Sequence, residues 1–443
     1  MNNSTPDLKV LYKLKNPCRD QFEMRIVCLD NEIPEDHKAR KVWEFVQNMN
    51  TDPCFSSLNT MVGQPGQPAT NPEVLFSLWI LAIMDGITSG RKIVEFVNYH
   101  SAYRWIAGGV EINRTMINDF RSANPFQFKQ LLISCLAVMK KSGLISDEDM
   151  AQDGTKIKGE AGGNSYRRES TLKDLEKESA KYLEEIEKKN AQDPNIFDKK
   201  AQAAKLRAAK ERKERVSKAI NELKKSKEEK IKNNKKNHKG EVKQKDLDKM
   251  RASTTDPEVR KMKMGDGGYR LAYNIQYTTG TDSKVVYAVS AGQTIDPGTS
   301  APMISQTLSN QKNAELNPAK RFLFDSAYSG ADDVNECYKL FPNIDYIAPP
   351  KANKKCDPTK PRKGDGEGVE LWRQNIENKE FKEAYKKRFS TSEFANAQVK
   401  NEGFVQTRVR GLLRVTGVAY LHAIVHNIVR SWDLTSKLRP DCT

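Results

Sequence analysis

Apolar residues recur along this chain in two rhythms, and the change from one to the other falls near residue 146. From about residue 33 to 145 the spacing is helical. IPEDHKARKVWEFVQNM reads as an amphipathic helix, and NPEVLFSLWILAIMDG as a second one, with Asn71 as N-cap and Pro72 at the first helical position. A turn-rich spacer, Val62 to Thr70 (VGQPGQPAT), separates them. SGRKIVEFVNYHSAYRWIAGG follows, and after a glycine pair comes INRTMINDFRSANP, which carries Arg114, Thr115 and Arg121. Short helices divided by glycine turns suit a helix-turn-helix, and they suit a purely structural helical domain as well.

From 146 the chain reads as strand and turn. MAQDGTKIKG predicts a short first strand that turns at Asp153, with Gly154 directly behind the acid. Tyr269 to Tyr277 and Lys284 to Ala291 predict two strands joined as a hairpin at GTDS. A helix over APMISQTLSN, a strand RFLFD ending at Asp325, a helix over ADDVNECYKL, a strand IDYIAPP and a last helix complete the series. GDGG at 265 to 268 is a turn, since no Lys-Ser/Thr follows at phosphate-loop spacing. The expected class is α/β: a strand-and-helix domain over 146–164 and 251–430, preceded by the helical domain 33–145.

Residues 165–250 interrupt that domain. Leu172, Leu175, Ser179, Tyr182 and Ile186 alternate by three and four, as do Leu206, Ala209, Lys213, Val216, Ile220 and Leu223. With Asp193-Pro194 between the runs, the pattern predicts an antiparallel helical hairpin that shares little core with its host. After Lys230, KIKNNKKNHKG shows no apolar face, consistent with partial disorder.

Charge changes this picture. The chain of 443 residues carries a formal net charge of +16, which favours a polyanionic partner. Residues 201–250 hold 18 Lys or Arg against 8 Asp or Glu, so most of the excess lies on the insertion. The seven Cys are scattered without CxxC spacing and read as reduced thiols. His422 and His426 stand four apart but lack a nearby third ligand, which favours a core role over zinc. The N-terminus has no signal-type apolar core, and the longest apolar run, Val74 to Met84, is too short to span a bilayer. A cytoplasmic protein is expected.

The stretch that ties these parts together is YKKRFSTSEFANAQVK, Tyr385 to Lys400. Tyr385, Arg388, Glu393 and Lys400 form a series in which Glu393 and Lys400 stand seven apart, on one face of a helix. One carboxylate cannot hold a divalent ion alone, so acidic partners must come from elsewhere, and Asp153 and Asp325 end apolar stretches. DGTKI, FDSAY and this series together resemble DDE-type insertion-sequence transposases. The resemblance implies a ribonuclease-H-like catalytic domain with a helical insertion between its first two acids. It also implies an N-terminal helical domain that helps bind the element's ends, with Arg114 and Arg121 among the candidate DNA contacts.

The resemblance further implies that Asp153, Asp325 and Glu393 hold two Mg2+ or Mn2+ ions while Tyr385, Arg388 and Lys400 meet DNA. The implied substrates are terminal inverted repeats and a target duplex, with a homodimer in the DNA complex. A metal-dependent nuclease or recombinase of the same fold and a catalytically inactive DNA-binding derivative are the alternatives. One departure matters: four residues, Phe389 to Ser392, separate the arginine from the glutamate, where the family usually has three. Ser390 and Glu393 have capping-box spacing, which predicts a helix boundary or irregular turn within 386 to 392.

Overall fold

The computed structural model describes residues 26, 28–56, 58, 67–122, 125–192, 199–236, 240–293, 296–351, 357 and 359–438. The N-terminal block is helical: Lys38–Gln47, Pro72–Met84, Gly90–Tyr99, Ser101–Ala107, Arg114–Arg121 and Pro125–Lys141 are its main helices. Pro72–Met84 is buried from Val74 to Ile83, so its nearly all-apolar sequence puts it at the centre. Asn71 caps it, its side chain accepting from the Glu73 amide at 2.9 Å, with Pro72 first in the helix. The middle of the Val62–Thr70 spacer lies outside the described residues.

This block does not close its core on itself. The Leu412–Leu438 helix packs on Pro125–Lys141 and on the sheet of the following domain, and one apolar core runs from Val42 through Phe128 to Ile424. That helix is long and apolar enough by composition to cross a membrane, yet most of its apolar stretch is buried inside the fold. Its two histidines are part of the packing. His426 meets the Lys284 carbonyl at 2.8 Å, and His422 stacks on Phe404 with ring centroids 4.5 Å apart. Burial pushes their pKa values down to about 4 and about 3, so both stay neutral.

Eight strands follow in chain order: β1 (Asp149–Lys158), β2 (Tyr166–Arg168), β3 (Arg251–Ser253), β4 (Arg260–Lys263), β5 (Tyr269–Gly280), β6 (Val286–Gly292), β7 (Arg321–Leu323) and β8 (Asp345–Ile347). β2 and β3 pair with each other, and the rest form one sheet. β5 joins β1 antiparallel and carries β6 and β4 on its other edge, while β7 joins β1 in parallel and β8 joins β7. The order β6-β5-β1-β7-β8 is that of a ribonuclease-H-like sheet. Asp147 fixes the β5–β6 hairpin: its carboxylate accepts from the Asp282 and Ser283 amides at 2.9 Å and from the Tyr287 hydroxyl at 2.8 Å.

One sequence expectation about the sheet needs correction here. β1 does not turn at Asp153 but continues to Lys158. Gly154 serves a close approach instead, since a Cβ there would lie 2.3 Å from both Asp296 Oδ1 and Gln276 Nε2. The insertion's apolar cluster is separate from the main core and reaches beyond its two helices only at Met250 and Ala252. Its helices, Glu169–Gln192 and Lys199–Lys236, run antiparallel, as ion pairs Lys227–Glu169 and Arg212–Glu178 require. At the root, Leu172, Val216, Ile220 and Leu223 bury Ala252 of β3.

Buried Glu222 in turn receives Arg260 of β4 at 2.9 Å and Gln293 at 3.3 Å. Tyr182 points outward and Leu183 takes its place in the seam, because inward positions fall at 172, 179, 183 and 186. The second helix continues past Lys230 to Lys236, and Asp193-Pro194 lies outside the described residues.

The shared core predicts that a fragment of residues 33–145, separated from the Leu412–Leu438 helix, loses its cooperative thermal transition by circular dichroism and binds a dye for exposed apolar surface. A cooperative melt with no dye binding would show that the block closes a core of its own.

Candidate active site

Strand register places the two aspartates. Ala151 of β1 is the Cα partner of Leu323 of β7, which pairs with Ile347 of β8. These three side chains share a face and pack against Phe381, Ala384 and Tyr385 of the Lys379–Asn401 helix. Side chains alternate along a strand, so the next residue on that face is Asp153 on β1 and Asp325 just beyond β7. Both stand two positions past the last parallel pair, where the strands diverge and the helix crosses. Asp325 also caps the short turn Ser326–Tyr328, its Oδ1 accepting from the Ala327 amide at 2.7 Å.

The helix brings Arg388 to both acids. Its Nη2 lies 3.3 Å from Asp153 Oδ1 and 4.0 Å from Asp325 Oδ2, so the two carboxylates face each other across one guanidinium. Burial is the main influence on Asp153, raising its pKa to about 6; the Asp325 and Asp296 charges add to this, and Arg388 opposes it. Tyr385 is half-buried beside Arg388, and burial raises its phenol pKa.

The helix is unbroken from Lys379 to Asn401, which corrects the boundary expected within 386 to 392. Ser390 and Thr391 return their hydroxyls to the Lys387 carbonyl one turn back instead of capping a new helix. With about 100° per residue, Arg388 and Ser392 then face inward while Glu393 and Lys400 are exposed. Among the described residues neither Glu393 nor Lys400 has an oppositely charged partner within 4.0 Å, and no three of His, Cys, Asp and Glu are gathered closely enough to hold a metal ion.

Sequence reasoning passed over Asn396 and Asp296 here, and set aside Glu402 in favour of Glu393. Asn396 donates to Asp153 Oδ2 at 3.1 Å, and its four-residue spacing from inward Ser392, itself four from Arg388, was the available signal. Asp296 accepts from Asn274 at 2.9 Å and Gln276 at 2.8 Å on the far side of β1, against Gly154. Glu402 is buried, and burial pushes it up to about 7.

In the helical block Arg114 is exposed at the first turn of Arg114–Arg121. Arg121 is turned inward, donating to the Thr88 carbonyl at 2.8 Å and to Asn118 at 3.1 Å and lying over the Trp79 ring. Burial lowers its pKa to about 10.

Comparison with known families agrees with this layout. A transposase domain (DUF772) matches residues 27–123, which is the helical block, and a transposase DDE domain matches residues 367–432, which includes the helix facing the aspartates. No curated protein and no solved structure matches the chain. Two transposase domain matches in one polypeptide, around a ribonuclease-H-like sheet, support an insertion-sequence DDE transposase.

Proposed function

We infer that this transposase binds the terminal inverted repeats of its element, hydrolyses the phosphodiester at each end in a divalent-metal-dependent step, and joins the freed 3′ ends to target DNA. The observation that carries the reading is the pair Asp153 and Asp325, set face to face by strand register with a single cation group between them.

A carboxylate pair that takes a guanidinium in this way has the donor chemistry for a hard cation. Asp153 and Asp325 would hold Mg2+ or Mn2+ between them, and Glu393, which the helix turns outward here, would complete a two-ion set only after that helix shifts to bring it in. Ions held there would supply Lewis-acid chemistry at the scissile phosphodiester. Asn396 keeps Asp153 oriented through its second oxygen. Arg388, once released from the acids, is placed to hold a phosphate beside the cut, Lys400 offers a second contact two turns along, and Tyr385 packs beneath them.

Arg114 is the exposed candidate for contact with the element's ends, and Arg121 supports the helix that carries it. A homodimer in the DNA complex completes the reading. The outward setting of Glu393 favours a second reading, a DNA-binding protein that does not cut.

Glutamine substitution of single acids separates these. Glu393→Gln is expected to lower Mn2+-dependent cleavage of end DNA on the order of 10³-fold, while Glu402→Gln and Glu383→Gln cut normally; activity surviving in Glu393→Gln but lost in Glu402→Gln would move the role to the buried acid. Asp153→Asn is expected to lose cleavage to a similar degree and keep end binding, since it removes a charge at nearly constant volume. A wild-type chain that binds ends but never cuts them supports the second reading.

Acidity gives an independent check on the metal-free protein. The folded chain holds a proton on Asp153 up to about pH 6, whereas an unfolded Asp releases it near about 3.9. The associated stability is present below the unfolded value and fades as pH rises through 6. Asp153→Asn removes that loss, so the variant should exceed wild type by about 1–3 kcal/mol at pH 8 and match it at pH 4 in urea melts with EDTA. Equal stability of the two proteins at pH 8 would remove the claim that burial strains this carboxylate.

A further inference from the structure

Away from the aspartates, three segments distant in sequence meet in a basic cleft of about 390 Å³. Arg167 comes from β2, Arg212 and Arg215 from the long insertion helix, and Arg410 from the turn before the Leu412–Leu438 helix. Thr254 and Thr255, just beyond β3, add two hydroxyls. Among the described residues, no carboxylate and no aromatic ring lines the cleft. Glu178 and Glu211 touch Arg212 and Arg215 at 3.7 and 3.6 Å, and both acids are largely exposed. Among the described residues Arg167 and Arg410 have no carboxylate within 4.0 Å.

The cleft is held in shape from below. Arg167 is fixed by pairing of β2 with β3, opposite Ala252. The Thr254 amide donates to the Ser165 carbonyl at 3.0 Å, and the Thr255 amide to Ser253 Oγ at 3.1 Å. Fully buried Asp256 accepts from the Gly411 amide at 3.2 Å and from the Tyr273 hydroxyl at 2.8 Å, which pins the turn bearing Arg410. Val216, one residue past Arg215, is buried with Ala252 in the apolar root of the insertion. Four guanidinium groups are thus kept near one another by hydrogen bonds and packing, although their mutual repulsion opposes it.

We propose that this cleft is a docking site for the sugar-phosphate backbone of duplex DNA, through which the insertion and the catalytic domain grip the same duplex. The inference rests on the DNA-cleaving reading above and adds a contact surface outside the aspartate site. Guanidinium forks with hydroxyl donors match phosphate oxygens. Without an aromatic ring to stack a base or an acid to take a ribose hydroxyl, the cleft is suited to backbone and not to a free nucleotide. Lys158, at the end of β1, pairs with the segment that leads to Arg410. It lies five residues beyond Asp153, or about 17 Å along the strand, which corresponds to about five base-pair steps.

The test uses the full chain and a fluorescent duplex in EDTA, with affinity measured across a salt series. Arg167→Gln/Arg410→Gln should weaken binding and reduce the slope of log affinity against log salt by about 2, as expected for two lost phosphate contacts. Arg167→Lys/Arg410→Lys should retain the slope, and the exposed setting of both residues leaves the thermal transition unchanged. A wild-type slope in the Gln variant overturns the cleft while leaving the DNA reading intact. Failure of the wild-type chain to bind duplex overturns both. Loss of inorganic phosphate binding with duplex binding unaltered would also overturn it, marking a small-anion site.

Discussion

Two negative charges on neighbouring strands set the terms for the rest of this structure. At strand spacing they repel by roughly 3 kcal/mol in an effective dielectric of 20, and burial of Asp153 adds to the cost. A fold that carries such a pair must supply positive charge nearby. Arg388 does so, from a continuous helix that packs on the face shared by Ala151, Leu323 and Ile347. The same apolar contact that seats the helix delivers the guanidinium. Packing and electrostatics are here one arrangement.

Much of this was legible in the sequence because it depends on period and on local chemistry. Alternation over YRLAYNIQY and VVYAVSA marks β5 and β6, and Asn71-Pro72 marks a helix start that is indeed capped. The two aspartates were found because each ends an apolar run, and the register shows why: the ladder between β1 and β7 ends at Ala151 and Leu323. What stayed hidden depends on contacts between residues remote in the chain. Gly154 looked like a turn residue, and only the sheet reveals that Asp296 and Gln276 need the room. Arg121 looked like a surface arginine on a short helix, and only tertiary packing over Trp79 turns it inward.

The Tyr385 to Lys400 series sits between these cases. Serine and threonine either cap a helix or return their hydroxyls to the preceding turn, and sequence does not decide between them. Here they return, the helix continues, and the four-residue interval between Arg388 and Glu393 becomes a rotation. The basic insertion shows a similar divide. Its charge was evident from composition, but that its root is joined to β4 through Glu222 and Arg260 depends on a pairing across the fold.

The Leu412–Leu438 helix has one more effect. Because it lies against both the helical block and β6, the surface around Arg114 and the pair at Asp153 belong to a single frame and not to two bodies on a hinge. The separation of the two is therefore set by the packing of this one helix. Any ligand that reached both would have to match a length written into the core, since the packed helix leaves no joint to adjust it.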